Sequence, residues 1–105
     1  MFLTAAILIG NDSDNRFIGG FGHDTLTGGL GADAFWFGFG SGADTITDFS
    51  ASDNDRINIH TYTQGTENDL LLSQVGNDTV IDLGGGNVVT VQNTLVADLT
   101  GHIVW

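Results

Sequence analysis

The acidic residues of this chain recur at fixed intervals beside glycines, and this spacing is the feature of the sequence best suited to chemistry. Two consecutive nonapeptides, GGFGHDTLT at 19–27 and GGLGADAFW at 28–36, share the form G-G-x-G-x-D-x-U-x, in which U is a large apolar residue. Asp24 and Asp33 therefore occupy the same place in each repeat. Short carboxylates in tight glycine turns offer the oxygen ligands that a hard cation such as calcium prefers. The spacing predicts cation sites between the turns of a repeating structure.

Two less regular copies of the repeat flank this pair. Residues 10–18, GNDSDNRFI, keep the first glycine and the apolar position but have Asn15 in place of the aspartate. Residues 37–49, FGFGSGADTITDF, place Asp44 at the aspartate position, eleven residues after Asp33 rather than nine. The missing carboxylate predicts weaker cation binding at the first copy, and the longer interval predicts that the regular repeat ends in the last one.

The composition favours cations over other partners. The chain has 13 acidic and 2 basic residues and a net charge of −11, which argues against nucleic acid and anionic membrane surfaces as partners. It contains no cysteine, so neither a disulfide nor a thiolate metal site is possible. The apolar start, MFLTAAILIG, lacks a basic region and a clear cleavage site and is a poor signal peptide. A role in solubility alone would explain the sign of the charge but not its repeated spacing.

The repeat also predicts the elements that must position the aspartates. Each nonapeptide should form a glycine turn and a short strand whose U residue points inward, so that two repeats complete one coil. Phe17 and Phe35 should then line one inner face, and Leu26 the other.

The predicted fold is all-β: a short parallel β-roll followed by an antiparallel β-hairpin or sandwich-like cap. We predict a single domain with a cap strand at 1–9, the roll at 10–49 and the C-terminal cap at 50–105. Within the cap, strands are expected at 70–75, 79–83 and 88–92, a loop at 61–68, and a longer strand at 34–39 of the roll.

These repeats resemble the calcium-binding repeats of the RTX (repeats-in-toxin) family, also called hemolysin-type calcium-binding repeats. The segment Ile46-Thr47-Asp48-Phe49 is similar to a strand of related RTX proteins, and Arg56-Ile57-Asn58-Ile59 resembles the strand that follows the repeats in serralysin-type proteases and in the R-modules of mannuronan C-5 epimerases. The resemblance implies a non-catalytic calcium-binding module of a secreted protein. It also implies export by type I secretion machinery, which needs no N-terminal signal peptide.

The resemblance further implies which residues hold calcium, because in the family each ion lies between two stacked turns. Two or three ions are expected. The first implied site combines Gly20, Gly22 and Asp24 with Phe39, Ser41 and Asp44. The second combines Asn11, Ser13 and Asn15 with Gly28, Leu30 and Asp33, and it lacks one carboxylate. The third pairs Gly29, Gly31 and Asp33 with Asp48.

Three interpretations of function remain open at this point. The module could fold when it binds extracellular calcium, it could bind polysaccharide beside a secreted enzyme, or it could be part of a protease or lipase whose catalytic domain lies elsewhere. No Ser-His-Asp arrangement or phosphate-binding loop is visible in the sequence, so the chain itself is expected not to be an enzyme. A monomer is expected. The alternative without a ligand is that the glycines and aspartates only form turns.

Overall fold

Short strands that alternate with glycine turns account for the first half of the chain. The computed structural model describes residues 6–38, 40–68 and 71–105. The strands are β1 Ile7–Ile9, β2 Arg16–Ile18, β3 Thr25–Thr27, β4 Ala34–Trp36, β5 Ala43–Ile46, β6 Arg56–Asn58, β7 Leu72–Val75, β8 Asp78–Gly84, β9 Asn87–Val91 and β10 Ile103–Val104; α1 spans His60–Thr63 and a 3₁₀ helix spans Val96–Leu99.

Consecutive strands of the repeats belong alternately to two sheets. We call the sheet with the order β1-β3-β5-β9-β8-β7 the first sheet and the sheet with the order β10-β6-β4-β2 the second sheet. Strands β1 to β6 pair only in parallel, with Phe17 opposite Phe35 and Phe35 opposite Ile57. Because one nonapeptide forms half a coil, residues eighteen apart in sequence pair on neighbouring strands. In the later coils the turns are longer, and the paired residues are 20 and 22 apart. This topology confirms the predicted parallel β-roll.

The core of the roll takes one large apolar side chain from each repeat. Phe17 is 6% exposed, and Leu26, Phe35, Ile46 and Ile57 are fully buried, while their neighbours along each strand are more exposed. The rings of Phe17 and Phe35 stack with their centroids 5.1 Å apart. Inward and outward positions alternate because successive side chains of a strand point to opposite faces. The predicted inner faces are therefore confirmed.

The C-terminal half continues both sheets of the roll. Strands β7, β8 and β9 form the predicted antiparallel hairpins, with bounds within two residues of those expected. However, β9 also pairs in parallel with β5, and β10 pairs in parallel with β6. The region 50–105 thus combines antiparallel hairpins with parallel strands. The parallel pairing satisfies the exposed edges of β5 and β6, which would otherwise be open to other chains.

Two local expectations are wrong. The strand predicted at 34–39 ends at Trp36, and the amide of Phe37 makes the last hydrogen bond of the β4–β6 ladder, to the carbonyl of Asn58. Phe39 itself lies outside the described residues. The loop predicted at 61–68 begins with the helical turn α1, which ends at Gln64 in the left-handed conformation.

We expect truncation of the roll core to lower stability far more than truncation of its surface. Leu26→Ala removes a fully buried side chain between the sheets, and the free energy of unfolding should fall by about 2–5 kcal/mol. The matched control is Ile18→Ala, because Ile18 is 64% exposed and its loss should cost less than about 1 kcal/mol. Urea unfolding of both variants measures the difference, and equal losses would contradict this description of the core.

Candidate metal centre

The glycine turns stack along two edges of the roll. On one edge, the turn at 19–24 lies against the turn at 40–44, as the pairing of the strands that follow them requires. On the other edge, the turn at 11–15 lies against the turn at 28–33, which in turn lies against the turn at 50–55. Aspartates that are distant in sequence are therefore placed one above another, in rows.

The same type of hydrogen bond connects successive turns within each row. The carboxylate Oδ1 atom of each aspartate accepts from the backbone N–H one coil earlier. The bonds are Ala6 N to Asp24 at 3.0 Å, Asn15 N to Asp33 at 2.8 Å, Asp24 N to Asp44 at 2.9 Å and Asp33 N to Asp55 at 2.8 Å. We call Asp24, Asp33, Asp44 and Asp55 the aspartate ladder. The side chain thus fixes the stacking distance of neighbouring turns as well as carrying charge.

The second carboxylate oxygen is unsatisfied in three of the four ladder residues. The Oδ2 atoms of Asp24, Asp33 and Asp44 are buried and have no hydrogen-bond partner in the described part of the chain. These residues are only 1–2% exposed. Burial of a charged oxygen without a partner costs several kcal/mol, so native structures rarely tolerate it unless another group completes the site. A cation held by these oxygens would remove the penalty.

Asp55 is the exception in the ladder. Its Oδ2 atom accepts from the backbone N–H of Ser50 at 2.9 Å, so both of its oxygens have partners within the protein. Asp55 is not among the calcium ligands that the resemblance implies, so its place in the ladder is a finding of the structure. The available signal was Asp55-Arg56-Ile57, which repeats the aspartate and apolar positions of Asp33-Ala34-Phe35.

The protein raises the pKa of three ladder carboxylates, those of Asp33, Asp44 and Asp55. The pKa of Asp44 is raised from 3.8 to about 6, mainly by burial and in smaller part by the nearby charge of Asp24, against the opposing effect of the hydrogen bond from Asp24 N. Burial also raises the pKa of Asp33 and of Asp55. The protein alone therefore disfavours the ionised form of these carboxylates. A bound cation would favour it.

Glycines allow the stacked turns to approach closely. A Cβ atom at Gly29, where φ is +80°, would lie 2.6 Å from the carbonyl oxygen of Asn11. A Cβ atom at Gly42, where φ is +78°, would collide with the carbonyl oxygen of Gly22. The carbonyls of one turn therefore lie at the surface of the next, where they are the natural partners of a cation held between the two.

The structure brings together the described members of the first implied site. The turn with Gly20, Gly22 and Asp24 stacks on the turn with Ser41 and Asp44, and both aspartates have an unsatisfied oxygen. Ser41 is buried, and its Oγ lies 3.3 Å from the hydroxyl of Tyr62. The remaining member, Phe39, lies outside the described residues.

The second implied site has only one unsatisfied carboxylate oxygen. Asn11, Ser13 and Asn15 stack on Gly28, Leu30 and Asp33, as the sequence suggested. Asn15 cannot supply charge, and its Oδ1 atom accepts from Asn11 N at 3.0 Å. The Oδ2 atom of Asp33 is the unpaired one. The side chain of Asp14, which accepts from Ala32 N at 2.7 Å, also connects these two turns.

The third implied site differs in its chemistry. Asp48 lies beside the turn that contains Gly29, Gly31 and Asp33, but both of its carboxylate oxygens already accept hydrogen bonds. They bond to Gly28 N at 2.7 Å and to Gly29 N at 2.8 Å. In this structure Asp48 therefore clamps the turn from the following coil.

Within the described residues, no point is surrounded by three or more His, Cys, Asp or Glu side chains. A cation between the turns would thus take at most two carboxylates there and most of its ligands from backbone carbonyls. Calcium accepts such a mixed oxygen shell of six to eight ligands, whereas a compact cluster of side chains would favour transition metals.

The fold and this site define a class, a parallel β-roll whose stacked turns carry a ladder of buried aspartates. No family model matches the chain, and no curated protein matches it. Among solved structures, the chain is similar to the extracellular lipase LipA from Serratia marcescens, with a TM-score of 0.73 and 21% identity over 91% of this chain. It spans about a fifth, 20%, of the length of that lipase. This likeness supports the β-roll fold.

No helix among the described residues is long and apolar enough to cross a membrane.

We expect the metal-free roll to become more stable as the pH falls from 7 toward 4. An acid whose pKa is higher in the folded state stabilises that state below its unfolded pKa, here 3.8, and this contribution is lost as the pH rises through about 6. Asp44 alone would contribute on the order of 2–3 kcal/mol. Circular dichroism in chelator across this range measures the folded fraction.

The control for this measurement is a pair of asparagine variants. Asp44→Asn should flatten the dependence between pH 4 and 7, whereas Asp98→Asn, at an exposed position of the 3₁₀ helix, should leave it unchanged. A folded fraction that decreases on acidification from pH 7 to 5 would contradict the raised pKa values of Asp33, Asp44 and Asp55.

Proposed function

We propose that the chain is a non-catalytic calcium-binding module whose β-roll forms when calcium enters the gaps between stacked turns. The observation that supports this function best is the set of three buried, unpaired Oδ2 atoms of Asp24, Asp33 and Asp44. They belong to stacked turns in which the carbonyls of one turn approach the glycines of the next, and such carbonyls would provide the other oxygens that calcium requires.

The proposed sites differ in their affinity for calcium. One ion is held by Asp24 and Asp44 with turn carbonyls that include those of Gly20, Gly22 and Ser41. A second is held by Asp33 with the carbonyls of Asn11 and Ser13, and we expect it to bind more weakly because only one carboxylate faces it. A third ion beside Asp48 would have to compete with two backbone hydrogen bonds, so two ions are the expected number.

Calcium binding and folding are coupled in this proposal. Without the ion, the chain must bring together carboxylates in a protein of net charge −11 and must order many glycines, both of which oppose folding. The ligands of each site come from turns about twenty residues apart, so the site exists only in the folded state. Ligands that bind only the folded state shift the folding equilibrium toward it.

This coupling suits a secreted protein. The matched lipase is described as extracellular, and we propose the same location for this chain. At low cytosolic calcium the chain would remain unfolded and suitable for type I secretion. Calcium levels on the order of 10⁻⁴–10⁻³ M outside the cell are those at which extracellular modules bind the ion. The module would then fold as a monomer, with no catalytic role of its own.

A calcium titration of the metal-free protein at pH 7, followed by far-UV circular dichroism, tests this function. We expect a cooperative increase in β-structure with calcium and little response to magnesium, which prefers a rigid octahedral site. Asp24→Asn and Asp44→Asn should each raise the calcium midpoint at least tenfold, and the exposed control Asp98→Asn should not change it. A protein that folds equally well in chelator and in calcium would overturn the proposal.

The repeat copy at 10–18 has Asn15 in place of the aspartate, and restoring an aspartate there provides a gain-of-function test. Asn15→Asp places a second carboxylate at the weaker site, so its calcium affinity should increase on the order of tenfold, as affinity follows the charge count of the ligands. In chelator, the same variant should be less stable, since one more carboxylate is then uncompensated. Asn77→Asp adds the same charge at an exposed turn and serves as the control in calorimetric titrations. Equal effects of the two variants would argue against a site at Asn15.

A further inference from the structure

The segment that follows β6 takes the place of a further glycine turn. Strand β6 pairs in parallel with β4, so that Asn58 is opposite Trp36, and the N–H of Phe37 donates to the carbonyl of Asn58 at 3.0 Å. The chain therefore leaves β6 on the same edge of the roll as the turn at 40–44. In a regular roll these residues would form the next turn of that row. Here they form α1 instead.

Tyr62 connects α1 to the turn at 40–44. Its hydroxyl donates to the carbonyl of Gly38 at 2.6 Å, and the Ser41 Oγ atom lies 3.3 Å from the same hydroxyl. Phe37 and Gly38 are the two residues by which this copy exceeds the nonapeptide repeat. The tyrosine thus binds the backbone at the point where the repeat is interrupted.

The side chain of Ser41 depends on this contact. Ser41 is only 3% exposed, and among the described residues the Tyr62 hydroxyl is the one hydrogen-bond partner of its Oγ atom. Because the Tyr62 proton is donated to Gly38, Ser41 is the donor in the second bond. Without the phenol oxygen, a buried hydroxyl would lack a partner, which costs free energy unless the turn moves.

Asn87 holds the other end of the same turn. Its Oδ1 atom accepts from Gly42 N at 2.9 Å, and its Nδ2 atom donates to the carbonyl of Gly84 at 3.0 Å. The bond to Gly42 resembles those of the aspartate ladder, since a side-chain oxygen accepts from the backbone of the preceding turn. Here, however, the acceptor is a neutral amide. The turn is therefore held at Gly38 and at Gly42, on both sides of Ser41.

We propose that Tyr62 and Asn87 are positioning residues of the first implied calcium site. By fixing the backbone on both sides of Ser41, they keep its carbonyl in place for the ion that Asp24 and Asp44 hold. Both side chains are neutral, so they act on the geometry of the turn and not on the charge of the site. This role rests on the calcium-binding function proposed above and adds what sets the affinity of one of its sites.

The role should be confined to one edge of the roll. The second implied site lies on the other edge, between the turns at 11–15 and 28–33, where the side chains of Asp14 and Asp48 hold the coils together. Groups that orient metal ligands typically change metal affinity by about 10–100-fold when they are removed. A selective loss of affinity at the first site is therefore expected, with little change at the second.

Calorimetric calcium titration of the full-length chain tests this role. Tyr62→Phe removes the hydroxyl and keeps the ring that packs against the core. In an Asp33→Asn background, which leaves the first site, we expect it to weaken calcium binding about tenfold, whereas in an Asp44→Asn background, which leaves the second site, binding should not change. Thr61→Val removes an exposed hydroxyl of the same helical turn and is the matched control.

Two further variants separate positioning from a general loss of stability. Asn87→Ala should weaken the first site in the same way. Ser41→Ala removes the group that Tyr62→Phe leaves unpaired, so the double variant should lose less affinity than the product of the two single losses. Far-UV circular dichroism at saturating calcium shows whether each variant folds. If either background does not fold, the same variants in the wild-type chain should weaken only the tighter of the two binding steps.

The outcomes distinguish this role from the function on which it depends. A wild-type chain that binds no calcium would overturn both. A wild-type chain that binds two ions, combined with a Tyr62→Phe variant that binds them equally well, would overturn only the positioning role. Equal weakening at both sites would also overturn that role, because a residue that only stabilises the fold would affect both sites.

Discussion

The structure depends on the carboxylates of the aspartate ladder, which have two different tasks. One oxygen of each side chain holds the backbone of the preceding coil at about 2.8–3.0 Å. The other oxygen is left buried without a partner in Asp24, Asp33 and Asp44. The first task organises the roll, and the second carries a free-energy penalty that a bound cation would remove. In the function that we propose, folding and ion binding would therefore be one event.

The ladder ends where the protein satisfies it internally. On one edge, Val89 takes the place opposite Asp44, and the adjacent Asn87 side chain accepts from Gly42 N. On the other, Asp55 receives a hydrogen bond from Ser50 N. Beyond these points, β9 and β10 continue the two sheets in parallel. In the described part of the cap, the strands complete the backbone pairing and no further buried carboxylate lacks a hydrogen-bond partner.

The distribution of charge follows from the same geometry. Asp24, Asp33 and Asp55 directly precede β3, β4 and β6, and Asp44 is the buried second residue of β5, whereas Arg16 and Arg56, the first residues of β2 and β6, are exposed. Arg16 and Arg56 lie on alternate strands of the second sheet and come into one row through the pairing with Ala34. The roll therefore separates the ladder carboxylates, which are buried in its turns, from the two arginines, which are exposed on a face. A repetitive fold can in this way present a patterned surface.

The sequence by itself determined the local unit: glycines at positions that need positive φ, one aspartate and one inward apolar residue per nonapeptide. Because that unit is periodic, it also predicted the parallel roll, its inner faces and the turn pairs of the first two sites. Only the tertiary structure decided how the period breaks after Asp33. It placed Asp55 in the ladder, bound Asp48 to backbone amides, and joined β9 and β10 to the roll. These pairings are between segments far apart in the chain, where packing and edge pairing, and not local spacing, select the partner.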